Sequence, residues 1–131
     1  MPILTRETAD RAALAPAFDD PARVTVVSLC AAWCDTCMQF RAAFERIAAA
    51  RSDTTFVWLD IEDDSAVCGD VDVENFPTLA IYRGRIPIHF GVSLPQEGNV
   101  ARLVDSLRAG ARPLADASPA VRALPAALAG G

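Results

Sequence analysis

Cys34 and Cys37 are the residues of this chain whose type and spacing most directly suggest chemistry. They stand in the stretch Trp33-Cys34-Asp35-Thr36-Cys37, with two residues between the thiols. Thiols at this spacing can close a disulfide across the first turn of a helix. The first of them would lie among the unpaired N–H groups of the helix start, which favour the reactive thiolate. The motif therefore predicts thiol–disulfide exchange.

The elements around the motif should fix the positions of both thiols. Arg23 to Cys30 is a β-branched apolar run that predicts a buried, central strand. After the motif, apolar residues at spacings of three and four predict an amphipathic helix. Its buried face consists of Cys37, Phe40, Phe44, Ile47 and Ala48.

Strands and helices are also predicted along the rest of the chain. Thr55 to Leu59 predicts a second central strand, and Thr78 to Tyr82 a third strand. Arg83-Gly84 should form a tight hairpin into Ile86 to Phe90, an edge strand because Pro87 lacks a ladder donor. Gly98 to Arg108 predicts an amphipathic helix.

The amino-terminal and carboxy-terminal segments are less regular. Ile3-Leu4 is a candidate edge strand, and Thr5 a candidate N-cap for a helix that ends near Pro16. Residues 111–131 are rich in Ala, Pro and Gly, and we interpret them as a partly ordered tail with a helical turn around Val121 to Leu124. The expected architecture is an α/β domain over residues 1–110, with a central mixed sheet and helices on both faces.

Charge and hydropathy exclude two classes of partner. The net charge is −5 and no basic stripe is present, which argues against nucleic-acid binding. No apolar run approaches the length of a membrane span. The first residues lack a signal-peptide core, so we expect a cytoplasmic protein. In that compartment four cysteines indicate redox chemistry or metal binding rather than a structural disulfide framework.

From about Ala22 to Arg108 the chain resembles the thioredoxin family. The resemblance rests on the Trp-Cys-x-x-Cys motif between strand and helix, on Phe76-Pro77-Thr78 about forty residues later, and on the Gly84 hairpin that leads to Gly91. It implies a thioredoxin fold with a cis bond before Pro77. It also implies a protein-disulfide oxidoreductase that acts on disulfide-containing protein substrates and is recharged by an upstream reductase.

The resemblance also implies roles for individual residues. Cys34 would attack a target disulfide, and Cys37 would resolve the mixed disulfide, leaving Cys34–Cys37 as the redox-active disulfide with no other cofactor and no metal. A shallow groove would hold the substrate chain like an added strand. Its expected lining is Trp33, Asp35, Thr36, Phe76, Pro77, Gly91 and Val92.

Four positions depart from the family pattern. Asp35-Thr36 replaces the usual Gly-Pro between the cysteines. Ser28 stands where the family has a buried Asp, and Trp58 where it has the Lys partner of that Asp. Losing both charges together avoids an unpaired buried charge. We expect slower exchange than in a general thioredoxin, and a dedicated rather than a housekeeping reductant.

The remaining cysteines have simpler interpretations. We interpret Cys30 as a buried, unreactive thiol and Cys68 as structural. Cys30, Cys34 and Cys37 also match a Cys-x3-Cys-x2-Cys spacing known from cluster-binding enzymes that use adenosylmethionine. Those enzymes need a larger barrel and a loop for the cysteines, whereas here the chain is short and Cys30 lies in a predicted strand.

Two further expectations concern the function and the polar residues. The alternative to an oxidoreductase is a thioredoxin-fold binding or assembly module for a specific partner, in which the cysteines matter little. His89, the single histidine, is expected to be a strand residue without a chemical role. The acidic residues from Asp60 to Asp64 are expected to solvate a loop and the start of a short helix.

Overall fold

The structure is a computed structural model that describes residues 11–69, 71, 73 and 75–129. The predicted strand at Ile3-Leu4 and the N-cap at Thr5 lie outside the described residues. In chain order the elements are α1 (Arg11–Asp19), β1 (Val24–Cys30), α2 (Asp35–Ala49), β2 (Thr55–Asp60), α3 (Ser65–Cys68), β3 (Thr78–Arg83), β4 (Ile86–Val92), α4 (Glu97–Ala109) and α5 (Pro119–Ala129).

The four strands form one mixed sheet in the order β2-β1-β3-β4. β1 pairs in parallel with β2 and antiparallel with β3, and β3 pairs antiparallel with β4. Every residue of β1 is buried, which agrees with its apolar sequence on both faces. The β3–β4 hairpin places Pro87 on an edge strand, as its missing N–H requires. The prediction that β2 is a central strand is wrong for the described sheet. β2 lies at the edge opposite β4, and helices rather than two neighbouring strands bury it.

The two faces of the sheet carry separate apolar cores. One core packs β1, β2 and β3 against α2 and α4, with Phe40, Phe44 and Val104 among its buried residues. The other packs the opposite side of the same strands against α1 and α5, with Phe18 and Leu124 among its buried residues. Helices therefore cover both faces, and alternate residues of each strand point to opposite cores.

Helix α1 does not end near Pro16 but continues to Asp19, with Pro16 inside it. A proline in a helix removes one backbone hydrogen bond and crowds the preceding turn. Burial of Leu14 and Phe18 on the same face, at 0% and 1% exposure, offsets that cost by about 1.5–3 kcal/mol for each side chain. The proline by itself predicts a helix end, because a local sequence pattern does not contain the packing that stabilises the helix.

Helix α5 is longer than the single turn expected around Val121 to Leu124. It spans eleven residues and buries Val121, Leu124 and Leu128 against the sheet. The hydroxyl of Tyr82 on β3 donates a buried hydrogen bond of 2.7 Å to the carbonyl of Val121. The described part of residues 111–131 thus contributes to the second core. Among the described helices none is long and apolar enough to span a membrane.

Candidate active site

Cys34 is the N-cap residue of α2, at the point where the chain leaves β1. Its amide donates to the carbonyl of Ala31 at 3.0 Å, and its own carbonyl accepts from the amide of Met38 at 3.1 Å. The thiol is free and half-buried. Asp35 and Thr36 follow in the first turn and are exposed. Cys34 therefore lies at the surface where the helix begins.

Cys37 is fully buried and is joined in a disulfide to Cys30, with the two Cα atoms 5.9 Å apart. One expectation is wrong: Cys30 is disulfide-bonded and is not an unreactive thiol. The pair joined in the structure is Cys30–Cys37, and the Cys34–Cys37 disulfide expected during exchange stays a prediction. The physical reason is strand alternation, because Cys30 shares its face of β1 with Val24 and Val26, which pack in the same core as α2. Counting that alternation from Val24 would have placed Cys30 beneath the helix.

Ser28 and Trp58, the two departures that replace a charged pair of the family pattern, are neighbours. They are paired across β1 and β2. Ser28 is fully buried, and its hydroxyl lies 3.6 Å from the sulfur of Cys30. The guanidinium of Arg41 stacks over the ring of Trp58 at 5.0 Å from its centroid. Ser28 and Trp58 thus place a hydroxyl and an indole beside the cysteines, at the positions where the family pattern has charged side chains.

The loop before β3 meets the motif on the other side. The Phe76–Pro77 peptide bond is cis, and the carbonyl of Pro77 accepts from the amide of Ser93 at 2.9 Å. The ring of Phe76 packs edge-on against Trp33, with centroids 5.5 Å apart. Trp33 remains 64% exposed, so the pair offers an apolar surface beside Cys34.

Gly91 and Val92 lie next to that loop through the β3–β4 register. Leu79 is opposite Gly91, and Thr78 is opposite Val92. Val92 is 59% exposed, whereas Pro77 is buried. The structure therefore brings Trp33, Phe76 and Pro77 together and places Gly91 and Val92 at the end of the adjacent strand. Asp35 and Thr36 lie on the helix start.

Two acidic residues hold the motif loop, and the sequence interpretation missed this role. The indole N–H of Trp33 donates to a Glu62 carboxylate oxygen at 2.7 Å. One oxygen of Asp60 accepts from the amide of Ala32 at 2.6 Å, and the other accepts from the amides of Glu62 and Asp63 at 2.8 and 3.0 Å. The signal available was their position at the carboxyl end of a strand parallel to β1, since the carboxyl ends of parallel strands meet at one edge of the sheet.

His89 lies on β4, two residues before Gly91. Its Nε2 atom is buried and lacks a hydrogen-bond partner within the described chain. A β-carbon added at Gly91 would lie 3.9 Å from that nitrogen, which is ordinary contact. Burial lowers the pKa of His89 below its ordinary value of 6.5, because the charged imidazolium is poorly solvated there. Over the described residues, no group of three or more His, Cys, Asp or Glu side chains is arranged to hold a metal ion.

A helix start that carries one accessible thiol and one buried, disulfide-bonded cysteine, set beside a proline loop on a mixed sheet, defines a cysteine redox protein of the α/β class. The thioredoxin family matches residues 8–98, which is more than half of the chain. Thioredoxin-2 of Saccharomyces cerevisiae is 34% identical over 62 residues, which are 47% of this chain and 60% of that protein. The chain thus spans less than two thirds of that relative.

Solved structures show the same fold. The thioredoxin NaTrxh from Nicotiana alata superimposes with a TM-score of 0.67 at 18% identity, over 79% of this chain and 90% of that one. Thioredoxin f2, solved in complex with ferredoxin:thioredoxin reductase, gives a TM-score of 0.66 at 13% identity, over 82% and 96%. The chain belongs to the thioredoxin family, a family of thiol–disulfide oxidoreductases.

Proposed function

We propose that this protein exchanges disulfides with protein substrates, with Cys34 as the nucleophile and Cys37 as the resolving cysteine. The observation that carries the proposal is the arrangement of the thiols. Cys34 is free and half-buried at the helix start, while Cys37 lies one turn further into the helix, is fully buried and already forms a disulfide. The thiol that meets the substrate first must be accessible, and the resolving thiol must be within reach of it.

The reaction balances in two exchanges. The reaction starts from the reduced protein, in which an external dithiol has opened the Cys30–Cys37 disulfide and Cys37 is a thiol. The thiolate of Cys34 attacks one sulfur of the substrate disulfide, a mixed disulfide forms, and the other substrate sulfur leaves as a thiolate. Cys37 then attacks the Cys34 sulfur, the Cys34–Cys37 bond forms, and the second substrate sulfur leaves. The substrate gains two electrons and two protons, and the protein loses them.

The substrate chain would lie across Trp33, Phe76 and the end of β4. Trp33 is exposed and is held in place by Phe76 and by the hydrogen bond to Glu62. Val92 provides further exposed apolar surface at the end of the edge strand. An extended peptide can pair with such an edge through its backbone, which suits varied protein substrates.

Reduction of insulin disulfides, with dithiothreitol as electron donor, tests this assignment. Cys34→Ser should fall to the uncatalysed rate, because the nucleophile is lost. Cys68→Ala should keep the wild-type rate, since Cys68 is a buried cysteine in the other core and provides the matched control. Wild-type activity in Cys34→Ser would contradict the proposal and favour the binding module.

Trapping identifies the partners of the same reaction. In the double variant Cys30→Ala/Cys37→Ala neither buried thiol can resolve a mixed disulfide, so Cys34 should stay bonded to its substrates. We propose that these include disulfide-containing cytoplasmic proteins and an upstream reductase, by analogy with the thioredoxin f2 complex. Mass spectrometry of adducts formed in a cytoplasmic extract identifies them, and adducts that also form in Cys34→Ser would be unrelated to this chemistry.

A further inference from the structure

The Cys30–Cys37 disulfide is enclosed by the core. Cys30 is the last residue of β1, and Cys37 lies in the first turn of α2. Their side chains are 1% and 0% exposed, in the core that also holds Phe40 and Trp58. No external thiol can approach either sulfur directly while this packing persists, because exchange requires in-line access to a sulfur.

Cys34 is the third sulfur at the same place. It is partly exposed, and it packs against the core cluster that contains Cys30 and Cys37. It precedes Cys37 by three residues at the start of one helix, which is a rise of about 4.5 Å along the axis and places their Cα atoms roughly 5 Å apart. That separation and the 5.9 Å between Cys30 and Cys37 both fall in the range that a disulfide bridges. Cys37 therefore has two partners within reach, one buried and one accessible.

The sulfur of Cys30 also has a polar neighbour. The Ser28 hydroxyl lies 3.6 Å from it, on the same face of β1, and is itself fully buried. A released thiol or thiolate in an apolar core is costly without a hydrogen-bond partner. Ser28 provides that partner at the position where the family pattern has a carboxylate, which would repel a thiolate.

We propose that Cys30 is a third redox residue, which displaces Cys34 from its disulfide with Cys37 after the substrate has left. This step rests on the proposed function, since it begins from the Cys34–Cys37 disulfide. The thiolate of Cys30 attacks the Cys37 sulfur, the Cys30–Cys37 bond forms, the Cys34–Cys37 bond breaks, and Cys34 leaves as a thiolate that takes up the proton given up by Cys30. One disulfide replaces another, so no electrons are gained or lost.

The exchange has two consequences for the oxidised protein. Its disulfide is stored away from solvent, and its accessible cysteine is a free thiol, whereas a protein that stopped at Cys34–Cys37 would expose no free site thiol. Re-reduction must then begin with attack by Cys34 on Cys37, which reverses the step. Cys34 is thus the only one of the three site cysteines that connects the buried pair to external thiols.

Disulfide mapping of the oxidised protein tests the pairing. The protein is oxidised with glutathione disulfide, alkylated with N-ethylmaleimide in denaturant and cleaved without reduction before Asp35, which separates Cys37 from the other two site cysteines. We expect the label on Cys34 and a Cys30–Cys37 link in the wild type and in the control Cys68→Ala. In Cys30→Ala we expect a Cys34–Cys37 link and no site label.

The possible failures are distinct. A wild type labelled on Cys30 and linked through Cys34–Cys37, with normal insulin reduction, would overturn the third cysteine and leave the proposed function standing. No link among the three cysteines together with no insulin reduction would overturn both.

Re-reduction provides a second test that leaves the two core cysteines intact. In Cys34→Ala, oxidised with diamide, the Cys30–Cys37 disulfide lacks its internal attacker. Its reduction by dithiothreitol should be at least about tenfold slower than in the wild type, because the external thiol must wait for the core to open. An unchanged rate in Cys34→Ala would show that the buried pair is reached without Cys34, and would overturn the proposal.

Discussion

Ser28 and Trp58 show at the scale of single residues why two departures from a family pattern occur together. The two are paired across neighbouring strands and are both buried. A carboxylate at one position without an ammonium at the other would leave an uncompensated charge in the core, which costs several kcal/mol. Replacing both removes that cost, and the indole instead packs with Phe40 and Phe44. The hydroxyl left at Ser28 contacts the sulfur of Cys30.

His89 gives the pH dependence that belongs to this scale. Burial lowers its pKa, so the folded state binds the proton less readily than the unfolded chain, whose pKa is near 6.5. Above about pH 7.5 neither state is protonated and His89 contributes nothing to the pH dependence. As the pH falls through 6.5 the unfolded chain is protonated first, and the free energy of unfolding falls by at most about 1.4 kcal/mol per pH unit. The loss ends below the folded-state pKa.

Urea unfolding at a series of pH values between about 7.5 and 5 measures this loss. His89→Gln removes the ionisable group and should flatten the profile in that window, because His89 is the chain's single histidine. Carboxylates act in a different range. The pKa of Asp53 is lowered chiefly by a hydrogen bond from Arg108, and that of Asp105 chiefly by one from Arg51. Their contribution to the free energy of unfolding is therefore lost only as the pH falls toward and below about 3.8, outside the window of His89. An equally steep profile in His89→Gln would refute the assignment.

At the scale of elements, helix α5 depends on a hydrogen bond that its own backbone cannot make. The carbonyl of Val121 would accept from the amide four residues later, but that residue is Pro125, which has no N–H. The Tyr82 hydroxyl provides the missing donor at 2.7 Å. Burial raises the pKa of Tyr82 above its ordinary value of 10, so this donor stays protonated well into the alkaline range.

Tyr82→Phe should therefore lower the free energy of unfolding by more than a typical surface substitution does. It removes the donor and leaves a buried carbonyl unsatisfied, for which we expect a loss of about 1–3 kcal/mol in the free energy of unfolding. Chemical denaturation followed by far-ultraviolet circular dichroism measures it.

A double-mutant cycle with Pro125→Ala isolates the hydrogen bond. Alanine restores an N–H at residue 125 that can serve Val121, so Tyr82→Phe should cost clearly less in that background. Equal costs in both backgrounds would show that the Tyr82 hydroxyl acts independently of the missing amide.

The elements themselves were largely predictable from the sequence. β1, α2, β3, β4 and α4 lie within a few residues of their predicted bounds, because each has a strong apolar period and clear end signals. The end expected near Pro16 and the tail expected from the composition of residues 111–131 are wrong for helices α1 and α5, because both helices are stabilised by contacts with distant parts of the chain. The Cys30–Cys37 pairing differs, since the two residues are only seven apart in sequence and the pairing depends on which face of β1 lies beneath α2.

For the whole molecule, the central question is whether the two cores unfold as one. Both use the strands β1 and β3, whose alternate residues face α2 and α4 on one side and α1 and α5 on the other. A sheet shared in this way couples its two faces, because neither core can persist once the strands separate. The composition of residues 111–131 instead predicts a partly ordered tail outside the domain of residues 1–110. The two descriptions predict different results when α5 is weakened.

Leu124→Ala in a Trp33→Phe background distinguishes them, since Trp58 is then the single tryptophan and reports on the core opposite α5. Leu124 is 1% exposed, so its truncation should cost about 2–5 kcal/mol of a total of about 5–15. If the sheet couples the cores, Trp58 fluorescence and circular dichroism should shift together to the same lower denaturant midpoint. The exposed Ala126→Ser is the matched control and should leave both midpoints nearly unchanged. An early loss of helix signal with an unshifted Trp58 transition would instead mean that α5 unfolds as a separate unit, and residues 111–131 would then be a tail in the thermodynamic sense.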